Sequence, residues 1–148
     1  MFTVQCSIVI LGKEPNLLRS GSMRSEKSRS DQLEERLIEF AVRIITLAAE
    51  LPRTAAGRHI ALQMLRSGTA AAPNYAEARG AESRADFVHK LHIALKELRE
   101  SRSWIRLIIK AELLPEHRMK DLLDECCQLC NILGQSVATA KGKERGQD

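Results

Sequence analysis

The stretch RSGTAAAPNYAEARG, residues 66–80, has the density of small residues expected of a helix that packs closely against its neighbours. It also carries Pro73, which is followed by Asn74 and then by Glu77. A proline inside a helix removes a backbone hydrogen bond and costs about 3 kcal/mol. On a helical wheel Pro73 points almost opposite Met64, so we expect a helix that bends around a bundle with the proline outside.

The polar residues around this proline allow three interpretations. The wheel places Gln63, Asn74 and Glu77 on one stripe beside the core-facing stripe. The first is that these side chains bond the backbone that the proline loosens, the second that they form a network between subunits, and the third that they belong to a ligand or catalytic site.

Apolar residues recur at three- and four-residue steps through the rest of the chain, which predicts four amphipathic helices. The first begins near Asp31, which with Glu34 has the spacing of a capping box, and Pro52 ends it. The second runs over residues 55–79, with Gly80 at its C-cap.

The third helix opens at Ser83, with Asp86 three residues later, and ends near Glu112. Pro115 fits the first turn of the fourth, because its missing N–H does no harm there. Short loops between such helices predict an all-α, up-down-up-down antiparallel four-helix bundle. The expected core faces are Leu33, Leu37, Phe40, Ala41, Ile44, Leu47, Ala48 and Leu51, widened by Ile38, Val42 and Ile45; Ile60, Met64, Gly68, Ala71, Tyr75 and Ala78; Phe87, Leu91, Ala94, Leu95, Leu98, Ile105 and Ile108; and Met119, Leu122, Cys126, Leu129, Leu133, Val137 and Ala140.

Composition agrees with a helical domain. The 148 residues are 44% hydrophobic but only 3% aromatic, and the net charge of +4 permits an anionic partner without demanding one. We expect a tail over residues 1–30 that is disordered or starts at a mis-assigned codon, the bundle over residues 31–141, and a frayed tail over residues 142–148. No apolar window reaches the length of a membrane span and no usual signal peptide is present, so we expect a cytoplasmic protein.

The sequence also suggests no metal or cofactor. Cys127 and Cys130 form a CxxC, but a zinc site needs a second ligand pair, and we expect Cys126 and Cys130 to pack as small apolar side chains. Asp86 and His89 echo half of a di-iron motif, which requires a second such motif and two further carboxylates. No nucleophile with a base and no phosphate-binding loop is evident, so we expect no enzyme and no small-molecule substrate.

Two motifs resemble a known family. They are Q-x-x-R-S-G-x-A-x-x-P-N-Y-A-E-A at residues 63–78 and S-R-A-D-F-x-x-x-L-x-I-A-L-K-E-L-R-E-S-x-x-W-I-R-L at residues 83–107. They resemble the small four-helix-bundle proteins encoded by intervening sequences of bacterial 23S ribosomal RNA genes, which are similar to the accessory variability proteins of diversity-generating retroelements. The chain departs from the pattern at Gly68, where alanine is usual, and at Ala78, where glycine is usual.

The resemblance implies a four-helix bundle that assembles into a ring-like homopentamer. It also implies that the retroelement relatives bind RNA and a reverse transcriptase through a basic surface. The positions that match the motifs and that we single out for the family pattern or an interface are Gln63, Arg66, Asn74, Glu77, Asp86, Phe87, Glu97, Glu100 and Trp104.

One flank of the third helix predicts an interface. Glu97, Glu100 and Trp104 lie together away from the core face, and tryptophan at such a place favours an interface. Antiparallel pairing with the second helix predicts a contact between Arg66 and Glu100, either within a chain or between chains. A solvated surface pair is the alternative.

The outer flank of the third helix carries a line of basic residues that no acidic residue interrupts. The candidate RNA-binding residues are His92, Lys96, Arg99, Arg102, Arg106 and Lys110. They indicate either an ordinary solvated helix face or a strip that follows phosphates, without sequence preference because no aromatic residue is available for stacking. We therefore expect a non-enzymatic homo-oligomeric scaffold that binds RNA or a protein–RNA partner; the alternatives are an oligomer that only binds proteins and a metal-binding bundle.

Overall fold

The computed structural model describes residues 27–142 and folds them into four helices. α1 spans Arg29–Glu50, α2 Ala55–Arg79, α3 Arg84–Lys110 and α4 Glu116–Gly142. Consecutive helices pack against each other in the predicted up-down-up-down order, and residues 27–142 contain no strand. The expected tails over residues 1–30 and 142–148 lie outside the described residues except for residues 27–30 and Gly142, and of these Arg29, Ser30 and Gly142 belong to α1 and α4.

The start of α1 differs from the predicted one. The hydroxyl of Ser28 accepts a hydrogen bond from the Asp31 N–H at 3.1 Å, and the Asp31 carboxylate accepts one from the Ser28 N–H at 3.2 Å. This is a complete capping box with Ser28 as the N-cap. The predicted Asp31–Glu34 capping box was therefore wrong, because Asp31 occupies the third helical position of the box and Ser28 is its N-cap.

The boundaries of α3 are set by its caps. The hydroxyl of Ser83 accepts a hydrogen bond from the Asp86 N–H at 3.1 Å, which confirms the predicted start. The helix ends at Lys110, where Glu112 takes a left-handed conformation with φ of 52° and the Leu113 N–H bonds the Ile108 carbonyl at 3.1 Å.

The predicted apolar stripes of the four helices meet in one core. Almost every residue expected inside is buried; Ala41 and Ala140 are half-buried. The core is also continuous along α3, because Ser101 fills the step between Leu98 and Ile105. The largest fully buried side chains are Phe40, Leu37, Ile44, Met64, Leu91, Leu98, Ile105, Ile108, Met119, Leu129, Leu133 and Cys126.

Three residues of α1 do not join this core. Ile38, Val42 and Ile45 are 43%, 55% and 52% exposed, so the prediction that they widen the core face was wrong. They follow one another at steps of four and three, and form an exposed apolar ridge on α1. The stripe of α1 that contains the fully buried Leu37 and Ile44 faces the core. A helix at the surface of a bundle buries one such stripe, about 100° wide, and the opposite face meets solvent.

Small residues let α1, α2 and α3 approach closely. A Cβ atom on Gly68 would lie 2.7 Å from the Cγ1 and Cγ2 atoms of Ile44, so this glycine is what lets α1 approach α2. On the other side of α2, the buried Ser101 hydroxyl lies 2.9 Å from the buried Ser67 hydroxyl and bonds it. Pro73 is exposed on the outer face, as predicted.

Ion pairs join the helices around the core. Arg36 of α1 donates to both carboxylate oxygens of Glu125 of α4, at 3.0 and 2.9 Å, and Arg79 of α2 binds Asp31 at 2.7 Å. Such contacts matter most between α1 and α4, which otherwise touch sparsely. Within residues 27–142, none of the helices combines the length and apolar character that crossing a bilayer requires.

Candidate nucleic-acid interface

α3 carries two different exposed flanks, one towards α2 and one towards α4. Since successive residues of a helix are about 100° apart, positions spaced three, four and seven apart line up along one flank. We call the α4-side residues the basic strip: His92, Lys96, Arg99, Arg102, Arg106 and Lys110. We call the group at the α2 side the motif cluster: Gln63, Arg66, Glu97, Glu100 and Trp104.

The basic strip is open to solvent. Five of its six side chains are exposed, and Arg102 is half-buried at the edge of the core. Among residues 27–142, no carboxylate lies within ion-pair distance of any of the six. From His92 to Lys110 the strip covers about 27 Å, at about 1.5 Å of helix rise per residue. Its positive charge therefore faces solvent without an ion-pair partner among these residues, although Lys96 is close enough to contribute to the lowered pKa of Glu100.

His92 contributes little of that charge at neutral pH. Its burial, slight as it is, and the charges of Lys141 and Arg99 hold the pKa of His92 below its ordinary value of 6.5. The strip at pH 7 thus consists of five permanent cations and one neutral imidazole. A bound phosphate would favour the imidazolium form and reverse this effect.

The thiols of α4 lie beside the strip. The Cys126 thiol donates to the Leu98 carbonyl oxygen at 3.3 Å, which places this part of α4 against α3. A hydrogen bond from Cys126 and the positive charges of Arg102 and Arg99 lower the pKa of Cys130 to about 7. The hydrogen bond to Cys130, followed by burial, raises the pKa of Cys126. As expected, both side chains are buried.

The charged side chains of the motif cluster, by contrast, pair with one another within one chain, with one arginine between two glutamates. Arg66 lies 3.3 Å from a Glu97 carboxylate oxygen and forms a shorter contact with Glu100. The Gln63 amide oxygen accepts a further bond from Arg66 at 3.4 Å. The bond from Arg66, helped by the one from Trp104, lowers the pKa of Glu100. The predicted Arg66–Glu100 contact is confirmed, and it forms between α2 and α3 of the same chain.

Trp104 belongs to this arrangement. It is half-buried and packs against the edge of the core, and its indole N–H donates to the Glu100 carboxylate at 3.2 Å. The ring of His59 meets it edge-on, with centroids 6.1 Å apart. Much of the ring is therefore covered within the chain, and whether the rest of it lies in an interface, as the sequence predicts, stays a prediction.

The other residues of the family motifs have separate surroundings. The Asn74 side chain donates to the Ala70 carbonyl oxygen at 2.8 Å, next to the turn that Pro73 interrupts, whereas Glu77 pairs with Lys90 of α3. Asn74 thus bonds the helix backbone beside Pro73, which agrees with the first of the three interpretations. Glu77 instead forms an ion pair that joins α2 to α3.

Asp86 and Phe87 both lie in the first turn of α3. Asp86 lies in its first turn with the side chain exposed, and Phe87 is buried in the core. Within residues 27–142 no three histidine, cysteine, aspartate or glutamate side chains are grouped so that they could hold a metal ion.

Sequence reasoning missed the Ser67–Ser101 pair. Both serines are fully buried, although serine is usually exposed. The available signal was their position: each falls on the core-facing stripe between apolar residues of its helix. Small polar residues at facing positions of two helices indicate a close, hydrogen-bonded crossing.

Comparison of the chain with known protein families finds one match. Residues 30–135 match the family described as 23S rRNA-intervening sequence protein. The chain belongs to this family. The bundle that the resemblance implied is therefore confirmed for a family member, and both motifs lie inside the matched range.

A solved structure is similar to the chain over most of the bundle. It is the 1.70 Å crystal structure of a protein of unknown function from the S23 ribosomal protein family of Bacteroides thetaiotaomicron VPI-5482. The two sequences are 32% identical, the match covers 75% of this chain and 99% of that one, and the TM-score is 0.69. No curated protein matches the chain significantly.

Proposed function

We propose that this protein is a non-enzymatic, homo-oligomeric scaffold that resides in the cytoplasm and binds RNA, alone or with a protein partner, through the basic strip of α3. The observation that carries the proposal is a row of exposed cations with no carboxylate partner among residues 27–142. Elsewhere in the bundle, arginines such as Arg36, Arg66 and Arg79 are paired with carboxylates of neighbouring helices. Unpaired cations in a line suit a phosphate backbone, because each phosphate that they neutralise releases condensed counterions.

The test of RNA binding is a salt titration with a hairpin RNA that contains both a stem and a loop. Binding is measured by fluorescence anisotropy between 50 and 200 mM salt for the natural protein and for the triple variant Lys96→Gln, Arg99→Gln, Arg106→Gln. Loss of three phosphate contacts should reduce the slope of log K against log salt by about 2 to 3.

A matched variant controls for net charge. Arg29→Gln, Arg43→Gln, Arg53→Gln also removes three exposed cations, but none of them lies on α3. We expect it to bind the hairpin nearly as well as the natural protein. Equal losses in both triple variants, or no binding at 50 mM salt, would remove the RNA proposal and leave the protein-binding oligomer.

Self-association is supported by the exposed apolar ridge of α1. Ile38, Val42 and Ile45 are each about half exposed and follow one another along one face of α1. A row of exposed apolar side chains of this kind marks sites where proteins meet. We propose that copies of the chain pack through this ridge, in the pentamer that the family resemblance implies.

Light scattering tests the assembly. Val42→Lys should lower the native mass, because it places a charge inside the proposed contact. Gln32→Lys adds the same side chain to an exposed position of α1 that lies about 110° around the helix from the ridge, and it should leave the mass unchanged. A monomeric natural protein would overturn the oligomer, and a mass that falls with Trp104→Ala but not with Val42→Lys would move the contact to the motif cluster.

A further inference from the structure

We infer that the basic strip binds double-stranded segments of RNA along their phosphate backbones, in preference to single strands. This inference rests on the proposed function, since it specifies which form of RNA the same surface takes. It is carried by three observations: the shape of the strip, the location of the aromatic side chains, and the lining of the cavity at the end of the strip.

The strip is a straight row on one rigid helix. Lys96, Arg99, Arg106 and Lys110 project from a single uninterrupted α-helix over about 21 Å, at about 1.5 Å rise per residue. A duplex presents two phosphates for every one of a single strand over the same axial length, and each neutralised phosphate releases more counterion from a duplex, about 0.9 against about 0.7 per contact. A ligand bound only by charge therefore gains more as a duplex.

Single-strand binders obtain much of their affinity by stacking bases on aromatic rings, about 1–3 kcal/mol per base. Among the described residues, Phe40, Tyr75 and Phe87 are buried, and Trp104 lies on the α2 side of α3 against His59. The strip itself offers a single ring, the imidazole of His92 at one end. Unpaired bases would thus find no aromatic platform along it beyond this imidazole, and could stack only on the guanidinium planes of its arginines.

The cavity beside the strip does not supply such a surface either. It has a volume of about 450 Å³ and is lined by Ser103, Arg106, Leu107, Lys110 and Ala111 at the C-terminal end of α3. Two cations and a hydroxyl in its wall can receive a phosphate or a ribose. The remaining groups are aliphatic, so a base inserted there would meet no ring.

The geometry also predicts how a duplex is read. The major groove of A-form RNA is too narrow and deep for side chains to read, so contacts to a duplex are made across the shallow groove, to phosphates and 2′-hydroxyls. A cationic row without stacking residues matches that requirement. Recognition should then depend on the presence of a stem and not on its sequence.

The experiment compares a 20-base-pair RNA duplex with one of its strands, chosen so that it does not fold on itself, at 100 mM salt. We expect the full-length protein to bind the duplex at least tenfold more tightly. The Lys96→Gln, Arg99→Gln, Arg106→Gln variant should lose most of that preference, while Arg29→Gln, Arg43→Gln, Arg53→Gln should keep it. A second duplex of unrelated sequence should bind within about twofold of the first.

Failures of the two proposals are distinguishable. Equal or tighter binding of the single strand, still weakened by the α3 triple variant, would overturn the duplex inference and leave RNA binding through the strip in place. Binding of neither probe, or binding that the α3 variant does not weaken, would overturn both. Circular dichroism of each variant should show an intact bundle, because all six substituted side chains are exposed.

Discussion

The two flanks of α3 show how differently one helix can use its charges. Towards α2, Glu97 and Glu100 share Arg66, and Trp104 donates to the same carboxylate. Towards α4, the cations of the basic strip have no carboxylate partner among residues 27–142. A helix flank whose charges are satisfied inside the chain serves the fold, whereas one whose charges are left unpaired is available to a partner.

The largest effect should come from changing the packing on one flank and not the other. Ser101 and Ser103 both donate to the carbonyl four residues earlier, at 3.0 and 3.1 Å, but Ser101 is fully buried against α2 and Ser103 is exposed on the side of the strip. Ser101→Leu should lower the free energy of unfolding by about 1–3 kcal/mol, because a larger side chain must be forced into the α2–α3 contact.

Ser103→Leu is the matched control. It should change the free energy of unfolding by no more than about 0.5 kcal/mol, as surface substitutions usually do. Urea unfolding followed by circular dichroism measures both. Equal losses in the two variants would contradict the view that only the α2 flank is committed to packing.

A smaller effect should follow from removing one cation on each flank. Arg66→Gln leaves Glu97 and Glu100 without their partner, so the melting temperature at pH 7 should fall. Arg106→Gln should leave it unchanged or raise it slightly, because it relieves repulsion between cations of the strip.

The pH dependence of this difference follows from Glu100. Its pKa is lowered from 4.5 by Arg66 and Trp104, so the stabilisation is present above pH 4.5 and is lost as the pH falls through the lowered value. Melting curves of the natural protein and of Arg66→Gln should therefore converge in acid. A gap that stays constant down to the lowest pH would show that Arg66 acts through packing alone.

The smallest change is a shift in the pKa of one thiol, which reports the electrostatic potential of the α4 flank. Arg102→Gln should raise the pKa of Cys130 above about 7, because it removes a nearby positive charge that favours the thiolate. An NMR titration of the protein labelled with 13C at the cysteine Cβ atoms gives this pKa, since the buried thiol is not open to reagents. Arg66→Gln, on the opposite flank, should leave it unaltered; the same shift in both variants would argue against a local potential.

The sequence predicted most of the fold because periodicity is a local property. The stripes of α2 and α3, the Ser83 cap and the outward Pro73 could all be placed on a wheel without knowing what packs where. Ile38, Val42 and Ile45 could not, because they satisfy the helical period as well as the core residues do. Only the position of the neighbouring helices decides which apolar stripe of α1 is covered.

The same distinction between local patterns and contacts across the fold applies to the candidate site. The row of cations from His92 to Lys110 was visible in the sequence, but whether carboxylates of α4 would cancel it was not. Nor could the sequence decide whether Arg66 and Glu100 meet within a chain, or how far Trp104 is covered by His59. Such questions concern distances between residues that are far apart in sequence.

By itself, then, the sequence of this protein determined four amphipathic helices, their order and the faces of α2 and α3 that turn inward, since these depend on the 3.6-residue period and on local capping chemistry. The tertiary structure alone decided which charges are neutralised and which apolar ridge remains exposed. The physical reason is that ion pairing and burial act over a few ångströms between helices, and the rotation and spacing of each helix depend on every side chain in the shared core.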